Sequence, residues 1–238
     1  MIGSPRVHHR LTDSTNQRAK ELADRGAPHG TVVTADEQTA GRGRQGRSWV
    51  APPGAAVLMS VVVRELDSMS MLPLGAALAV CDAAEARAPV RCQIKWPNDV
   101  WIDGRKLSGI LVEGRPAAGW AVVGIGLNVL TREDEFPEVL RSTATSLAAA
   151  GGPAVGGPAA VGETLDALLA GLDRWLGAPA GEVLAAWRER DALLGWRIEW
   201  GEGEGVAAGV DDSGSLLVDT DAGRVALGAG EVHLRRIS

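Results

Sequence analysis

The order of apolar and polar positions predicts a helix near the start of the chain. Three apolar residues recur at helical spacing within residues 16–25, so one face of this segment is apolar. Asp13 and Ser14 precede the segment and are good N-cap residues, because their side-chain oxygens accept hydrogen bonds from the unpaired N–H groups of a first turn.

Apolar runs bounded by Gly, Pro or polar residues predict the other elements of the main domain. We predict strands over residues 30–35, 55–63, 91–95, 99–102, 106–113 and 120–129, and helices over residues 71–87, 162–176 and 181–191. Asp103-Gly104 forms the turn of a hairpin between the strands over 99–102 and 106–113. Residues 37–48 show no apolar periodicity and residues 148–160 are rich in Ala, Gly and Pro, so both are predicted as loops.

The pattern changes after Gly195 to short alternating strands separated by tight turns. Such a run in a short segment predicts a small β-barrel. We therefore expect an α+β fold, with a mixed sheet and flanking helices in a main domain over residues 1–191 and a small β module over residues 192–238.

Charge and cysteine content narrow the functional class. The net charge of −6 disfavours a general nucleic-acid binder, because phosphate binding needs a basic surface. Cys81 and Cys92 show no metal-type spacing, and we expect free thiols in a reducing cytoplasm. No basic-then-apolar leader and no apolar run of ~18 residues is present, so we expect neither secretion nor a membrane span.

Glycines and arginines alternate in the loop that follows the second predicted strand. The alternating residues are Gly41, Arg42, Gly43, Arg44, Gly46 and Arg47. Glycine lets the backbone approach a ligand closely, and arginine adds planar donors with a fixed charge. This composition is also that of a flexible solvated loop or of an RNA-binding segment. Its place between two strands of an acidic protein favours an anion-binding loop.

Two lysines flank the predicted turn and hairpin. Lys95 and Lys106 are placed to converge on one pocket, where they would neutralise phosphates or stabilise charge that develops at phosphorus. Asn98 and Asp99 between them suit a base, a ribose or a magnesium ion, although both residue types are also common in plain turns.

Gly124-Ile125-Gly126 ends a buried strand, and small residues there let a ligand lie on the sheet. Close packing explains a lone G-x-G equally well, and the motif does not continue into a dinucleotide-binding pattern. The sequence contains no G-x-x-x-x-G-K-[ST] phosphate loop, no histidine pair of metal-binding type and no G-x-S-x-G elbow.

Taken together, these motifs closely resemble the biotin–protein ligase family. The matching segments, in the order of the family, are DSTN (13–16), EQTAGRGRQGRSW (37–49), KWPNDVWIDGRKLSGILVE (95–113), VVGIGLNV (122–129) and TSL (145–147). The C-terminal β module resembles the SH3-like domain of the family. The resemblance implies a fold like that of class II aminoacyl-tRNA synthetases and ATP-dependent biotinylation of a carrier lysine through biotinyl-AMP.

The resemblance also implies residue roles. Lys106, Arg42 and Lys95 would act on the phosphates and the reacting carboxylate. The residues implied to bind biotin or nucleotide, besides these three, are Ser14, Thr15, Asn16, Gln38, Gly41, Gly43, Arg44, Gln45, Gly46, Trp49, Asn98, Asp99, Gly109, Ile110, Leu111, Gly124, Gly126, Asn128 and Arg235. Ser14, Thr15 and Gln38 would recognise the ureido ring, whereas Arg44, Gln45 and Gly46 would lie on a loop that retains biotinyl-AMP.

The resemblance further implies biotin and ATP as substrates, Mg²⁺ as the accompanying ion, no metal site built by the protein alone and a biotin carboxyl carrier domain of an acyl-CoA carboxylase as partner. It implies a cytoplasmic monomer or weak homodimer without nucleic-acid or membrane binding. DSTN begins at Asp13, and we expect the monofunctional form without a DNA-binding domain.

Two other functions remain open from the sequence. A lipoate ligase or lipoyl transferase shares the fold and the adenylate chemistry, although the full glycine-arginine loop disfavours it. A non-catalytic biotin-binding or regulatory module is disfavoured because Lys106 and the loop arginines are retained.

Overall fold

A seven-stranded mixed sheet forms the centre of the main domain in the computed structural model, which describes residues 1–64, 69–151, 155–157, 159–228 and 232–234. Its strands are β1 (Arg6–Thr12), β2 (Val32–Gln38), β3 (Ala56–Val63), β4 (Gln93–Lys95), β5 (Asp99–Ile102), β6 (Arg105–Arg115) and β7 (Trp120–Asn128). They lie in the order β1-β2-β3-β7-β6-β5-β4. β1 pairs with β2 in parallel, whereas the other pairs are antiparallel. The predicted mixed sheet is confirmed.

Helices cover both faces of this sheet. The described helices are α1 (Thr15–Asp24), α2 (Met71–Arg87), α3 (Leu147–Gly151), α4 (Ala160–Trp175) and α5 (Ala180–Arg188). α2 is apolar on nearly all sides because it packs between the sheet and α4, and it contributes to the larger core. On the opposite face, Ala19 and Ala23 of α1 pack against Val33, Val62 and Trp120.

The structure corrects several predicted boundaries. β1 was not predicted, because its residues are polar or only half buried and its strand lies at the edge of the sheet. Glu37 and Gln38 belong to β2 rather than to the following loop, and their backbone pairs with the end of β1. α1 begins at Thr15, one residue before the predicted start at residue 16. Ser14 at its N-cap makes no side-chain capping bond.

The prediction of one loop over residues 148–160 was wrong at both ends. α3 covers Leu147–Gly151 and α4 begins at Ala160, while residues 152–154 and 158 lie outside the described part of the chain. Buried Leu147 explains α3, because tertiary packing stabilises a short helix that its own sequence does not.

A second, antiparallel sheet forms the C-terminal module. Its strands are β8 (Arg197–Trp200), β9 (Gly203–Val210), β10 (Leu216–Thr220), β11 (Gly223–Leu227) and β12 (His233–Leu234), paired in the order β11-β10-β9-β8-β12. The predicted all-β C-terminal module is confirmed. Among the described residues, β11 and β12 are the two edge strands of its sheet.

Two sets of hydrogen bonds beside β4 hold the C-terminal module and the connecting segment that leads into it (residues 189–196). The backbone of Ile94 exchanges hydrogen bonds with Arg190 and Ala192 of the connecting segment, at 2.7 and 2.9 Å. The buried indole of Trp96 donates a hydrogen bond to the Gly214 carbonyl across 3.0 Å. Contacts with the connecting segment and the C-terminal module therefore fix Ile94 and Trp96, which precede Asn98 in the chain.

Two further predictions concern the cysteines and membrane-spanning helices. Cys81 and Cys92 are buried free cysteines, as predicted. None of the described helices is long and apolar enough to span a lipid bilayer.

Candidate active site

A cavity of about 470 Å³ lies on the main sheet, where the start of α1, the glycine-arginine loop and strands β4 to β7 meet. Most of the predicted ligand-binding residues line it. They are Ser14, Thr15, Asn16, Gln38, Arg42, Gly43, Arg44, Gln45, Trp49, Lys95, Asn98, Asp99, Lys106, Gly109, Ile110, Leu111, Gly124, Gly126 and Asn128. Five separate sequence segments thus contribute to one concave site.

Two predicted residues lie beside this cavity rather than in its wall. Gly41 and Gly46 line a more open groove that adjoins the cavity on the other side of the same loop. Gly41 has a local reason to be glycine, since a Cβ there would lie 2.4 Å from the Trp49 carbonyl oxygen. Arg235 lies outside the described residues.

A hydrogen-bonded polar cluster lies where α1 meets β2 and β3. The Thr15 N–H and hydroxyl lie 2.7 and 3.1 Å from Gln38 Oε1. The buried Ser60 hydroxyl lies 2.8 Å from Thr15 Oγ1 and 2.6 Å from Asn16 Oδ1. Gly124 makes room for this cluster, because a Cβ on it would lie 1.8 Å from Asn16 Oδ1.

Glu113 extends the cluster to the other side of Asn16. Its carboxylate accepts hydrogen bonds from Asn16 Nδ2 at 2.9 Å and from Lys20 Nζ at 2.7 Å. Burial would raise the pKa of Glu113, but hydrogen bonds from Lys20 and Asn16, and the charges of Lys20 and Arg42, together bring that pKa below its usual value. Glu113 is therefore ionised at neutral pH and acts only as an acceptor.

Lys106 is held by its backbone and by its side chain. Its ammonium lies 2.7 Å from Asp99 Oδ1. Its backbone N–H donates to the Thr143 carbonyl at 2.7 Å, and its carbonyl accepts from the Thr145 N–H at 2.9 Å. Buried Asn128 donates to the Thr145 carbonyl at 2.9 Å, so it steadies the segment that holds Lys106.

Lys95 lies on the neighbouring strand of the same cavity. Its ammonium is 5.2 Å from the ring centroid of Trp101, within cation–π range. β4 pairs Lys95 with Asp99, the residue that binds the Lys106 ammonium. The sheet therefore places both predicted lysines on strands that pair with β5, the strand that carries Asp99.

The glycine-arginine loop folds over the cavity. Residues 44–46 form a 3-10 turn in which Gln45 has a φ of 54°. The Arg44 guanidinium donates to Asn98 Oδ1 across 3.1 Å and so connects the loop to the turn after β4. Within the loop, the Gly43 N–H donates to the Arg47 carbonyl at 2.7 Å.

Trp49 lies on the glycines of the sheet. A Cβ on Gly126 would be 2.4 Å from its Cε2 atom, and one on Gly109 would be 3.2 Å from its Cζ3 atom. The Lys106 ammonium is 5.8 Å from the ring centroid. The buried indole N–H has no hydrogen-bond partner among the described residues. Because Gly109 of β6 and Gly126 of β7 have no side chains, they leave the space that this indole occupies.

Sequence reasoning missed two parts of the site. Ser60 and Glu113 belong to the polar cluster. Ser60 occurs singly in the apolar strand β3 and lies in no motif, whereas Glu113 ends the 95–113 motif but was assigned no role. The segment after β7 adds Phe136, Leu140 and Thr143 to the cavity wall, and only its packing reveals this. A single polar residue in an otherwise apolar, fully buried strand is the signal that could have pointed to Ser60.

The arrangement can bind a ligand with an anionic centre and a polar head group. Arg42, Arg44, Lys95 and Lys106 bring positive charge to one cavity, and the Thr15–Gln38 cluster lies in the same space. In the described parts of the chain, no three His, Cys, Asp or Glu side chains are grouped closely enough to hold a metal ion.

Two family models match the chain. The biotin/lipoate A/B protein ligase family matches residues 8–129, and the biotin protein ligase C-terminal domain matches residues 199–235. The chain is 38% identical to a biotin–[acetyl-CoA-carboxylase] ligase of Mycobacterium tuberculosis, over 94% of this chain and 87% of that protein. It is 33% identical to the bifunctional ligase/repressor BirA of Bacillus subtilis, over 98% of this chain and 75% of that protein.

The fold is also similar to that of a solved structure with ligands. The biotin protein ligase of Aquifex aeolicus in complex with biotin and ATP superposes with a TM-score of 0.82 at 30% identity, and the match covers 98% of this chain and 99% of that one.

Proposed function

The chain belongs to the biotin/lipoate A/B protein ligase family, and on that premise we propose that it is an ATP-dependent biotin–protein ligase. It joins biotin to AMP and then transfers biotin to a lysine of a biotin carboxyl carrier domain. The observation that carries this proposal is that Arg42 and Lys106, 64 residues apart in sequence, line one cavity together with the Thr15–Gln38 cluster.

The first step joins two anions, which repel each other. A carboxylate oxygen of biotin attacks the α-phosphorus of ATP, the bond to the bridging oxygen breaks, and pyrophosphate leaves. Arg42, Lys95 and Lys106 offset the repulsion and stabilise the charge that develops at phosphorus. Lys106 is best placed for this role, because its backbone is fixed on both sides by the 143–145 segment.

The second step uses the mixed anhydride. The carrier lysine, as a free amine, attacks the acyl carbon, an amide bond forms, and AMP leaves with the bonding electron pair. Water competes for the same carbon, so a loop that covers the anhydride has a clear purpose. We assign this role to residues 43–47, with Trp49 at the base of the loop.

The remaining predicted residues divide by position. Ser14, Thr15, Asn16 and Gln38 bind the ureido head, and Gly109, Ile110, Leu111, Gly124 and Gly126 form the floor beneath biotin. Gly41 and Gly46 shape the loop backbone, Asn128 serves the nucleotide side, and we assign Arg235 to nucleotide binding on the family resemblance alone. We place the domain boundary at residues 191–192 and propose that the enzyme works in the cytoplasm.

A Mg²⁺ ion bound together with ATP would neutralise charge on the phosphate oxygens. Such an ion keeps several waters and needs only one or two protein oxygens. Asn98 and Asp99 are the oxygen donors that we assign to it.

Transfer of labelled biotin to a purified biotin carboxyl carrier domain tests the proposal. We expect label on one carrier lysine only when ATP and Mg²⁺ are both present, and biotin-dependent exchange of pyrophosphate into ATP when the carrier is left out. A chain that binds biotin but supports neither reaction would be a binding module instead.

Lipoate is the competing substrate, because the family model includes lipoate ligases. The C-terminal match to biotin protein ligases favours biotin. Thermal shift with each acid in the presence of ATP separates the two: biotin should raise the Tm and lipoate should leave it unchanged.

A further inference from the structure

Two hydroxyl groups lie in a row between two amide oxygens beneath the ureido side of the cavity. The row runs from Gln38 Oε1 to Thr15 Oγ1, then to Ser60 Oγ and finally to Asn16 Oδ1, with separations of 3.1, 2.8 and 2.6 Å. Thr15, Asn16 and Gln38 line the cavity, whereas Ser60 is fully buried below them.

The two ends of the row have fixed polarity. The ionised Glu113 carboxylate can only accept, so the Asn16 amide turns its nitrogen to Glu113 and its oxygen to Ser60. The Thr15 N–H, 2.7 Å from Gln38 Oε1, fixes the Gln38 amide with its oxygen toward Thr15. Both end atoms are therefore acceptors.

Hydrogen counting then shows a deficit. Each hydroxyl carries one hydrogen, so two hydrogens must serve three contacts. The two shorter contacts are filled when Thr15 donates to Ser60 and Ser60 donates to Asn16. The contact of 3.1 Å between Thr15 Oγ1 and Gln38 Oε1 is then left without a hydrogen. These two oxygens form a pair of acceptors on the cavity wall, and a ligand N–H between them supplies what is missing.

We propose that Ser60 and Glu113 are positioning residues, which orient the hydroxyl hydrogens inward so that Thr15 and Gln38 present acceptor oxygens to an N–H of the ureido ring. The inference rests on the proposed biotin-ligase function. It explains why this side of the cavity would prefer a ligand with an N–H donor. Neither residue touches the substrate: Glu113 acts through Asn16, and Ser60 acts through Thr15.

The variant Glu113→Gln tests the direction in which hydrogens are donated along the row. Lys20 can only donate, so its ammonium takes the single amide oxygen of the new side chain and leaves the NH₂ group facing Asn16. Asn16 then turns over, and Thr15 donates its hydrogen to Gln38, which fills the acceptor pair. We expect the KM for biotin in pyrophosphate exchange to rise about tenfold, as for one lost hydrogen bond, with kcat within about twofold of wild type.

Removing Lys20 should reverse the effect. In the double variant Lys20→Met/Glu113→Gln, the amide oxygen at position 113 is free to face Asn16, and we expect the KM for biotin to return to within about twofold of wild type. Lys20→Met alone keeps the carboxylate on Asn16 and should leave KM unchanged. A purely structural role predicts the opposite, because the double variant would then be at least as impaired as Glu113→Gln.

Ser60→Ala supplies a second test that does not depend on how Glu113→Gln folds. It removes the oxygen that receives the Thr15 hydrogen, so the KM for biotin should again rise about tenfold. Glu21→Gln is the matched control for Glu113→Gln, since Glu21 on α1 is also ion-paired and is similarly exposed but lies outside the cavity. Circular dichroism monitors the folding of each variant.

The outcomes separate the two proposals. Wild-type protein without biotin-dependent exchange would overturn the ligase function itself. Normal wild-type exchange, together with an unchanged KM in folded Glu113→Gln or Ser60→Ala, would overturn the positioning role alone. A double variant that stays as weak as Glu113→Gln would also overturn it.

Discussion

Lys106 shows how a single residue is prepared for its role. A lysine on a flexible stem is a mobile charge, but here the backbone is fixed by Thr143 and Thr145 and the ammonium is paired with Asp99. Exchange of this partner for a phosphate oxygen would leave the ammonium in the same place. The pairing therefore orients the charge before substrate arrives.

Replacing Lys106 with alanine should reduce biotin-dependent pyrophosphate exchange by at least about 100-fold, in line with the loss of one electrostatic contact to a transition state. The fold should persist, because the side chain is half-exposed. The control is Arg105→Ala on the same strand, whose guanidinium pairs with exposed Glu133 instead. Near-normal exchange by Lys106→Ala would contradict its catalytic role.

Gly126, in the floor that we assign to biotin, is a residue whose replacement the packing directly opposes. In Gly126→Ala the new Cβ would lie 2.4 Å from Trp49 Cε2, so the indole must move off the sheet. We expect the KM for biotin to rise several-fold, which initial rates at saturating ATP would measure. Gly181→Ala in α5, where a Cβ meets nothing within 4 Å, is the matched control and should behave like wild type.

At the scale of elements, a hydrogen bond from the Arg44 guanidinium to Asn98 Oδ1 connects the glycine-arginine loop to the turn after β4. Arg44→Gly removes that bond and adds backbone freedom. Biotinyl-AMP should therefore leave the enzyme faster, and release of labelled adenylate in a filter-binding assay measures this. Arg25→Gly, at the C-cap of α1, controls for the loss of an arginine. Unchanged retention by Arg44→Gly would refute a covering role for the loop.

Elements with a strong local pattern were predictable from the sequence, and those that depend on tertiary contacts were not. α2 was predicted with its observed bounds, because an apolar stretch of this length between polar ends can only be a buried helix or strand, and its alanines favour a helix. β1 has no such pattern, since its register with β2 creates the strand. The same limit applies to Ser60 and Glu113, which acquire meaning only when α1, β3 and β6 are brought together.

At the scale of the whole molecule, an ion pair joins the connecting segment to the main domain. Arg190 binds Glu85 of α2 with separations of 2.6 and 2.9 Å. Burial would raise the pKa of Glu85, but hydrogen bonds from Arg190 and from the Cys92 N–H outweigh it and bring that pKa below its usual value. The carboxylate is thus part of what holds the second module in place.

The sign of the pH dependence follows from this lowered pKa. The stabilisation by Glu85 is complete above about pH 4.5, the ordinary value of an unfolded glutamate, and is lost as the pH falls through the lower folded value. Glu85→Gln should lower the Tm at pH 7 and should show a smaller further loss of Tm between about pH 5 and pH 3. Thermal melts across this range measure both effects. The exposed pair of Asp219 and Arg224 is the control, because Asp219→Asn should change the Tm little. Parallel acid profiles of Glu85→Gln and wild type would contradict the assignment.

The contact between Trp96 and Gly214 has a consequence for protein engineering. Gly214 has a φ of 80°, and a Cβ there would lie 2.7 Å from Met71 Cε, so this turn is shaped to fit one indole and one helix end of its own main domain. A chimaera could join this main domain to the C-terminal module of a relative. Such a protein would have to keep the 211–215 turn of this chain within the new module. Grafting at the 191–192 junction alone would keep the buried indole N–H bonded only if the turn of the relative brings a main-chain carbonyl to the position of the Gly214 oxygen.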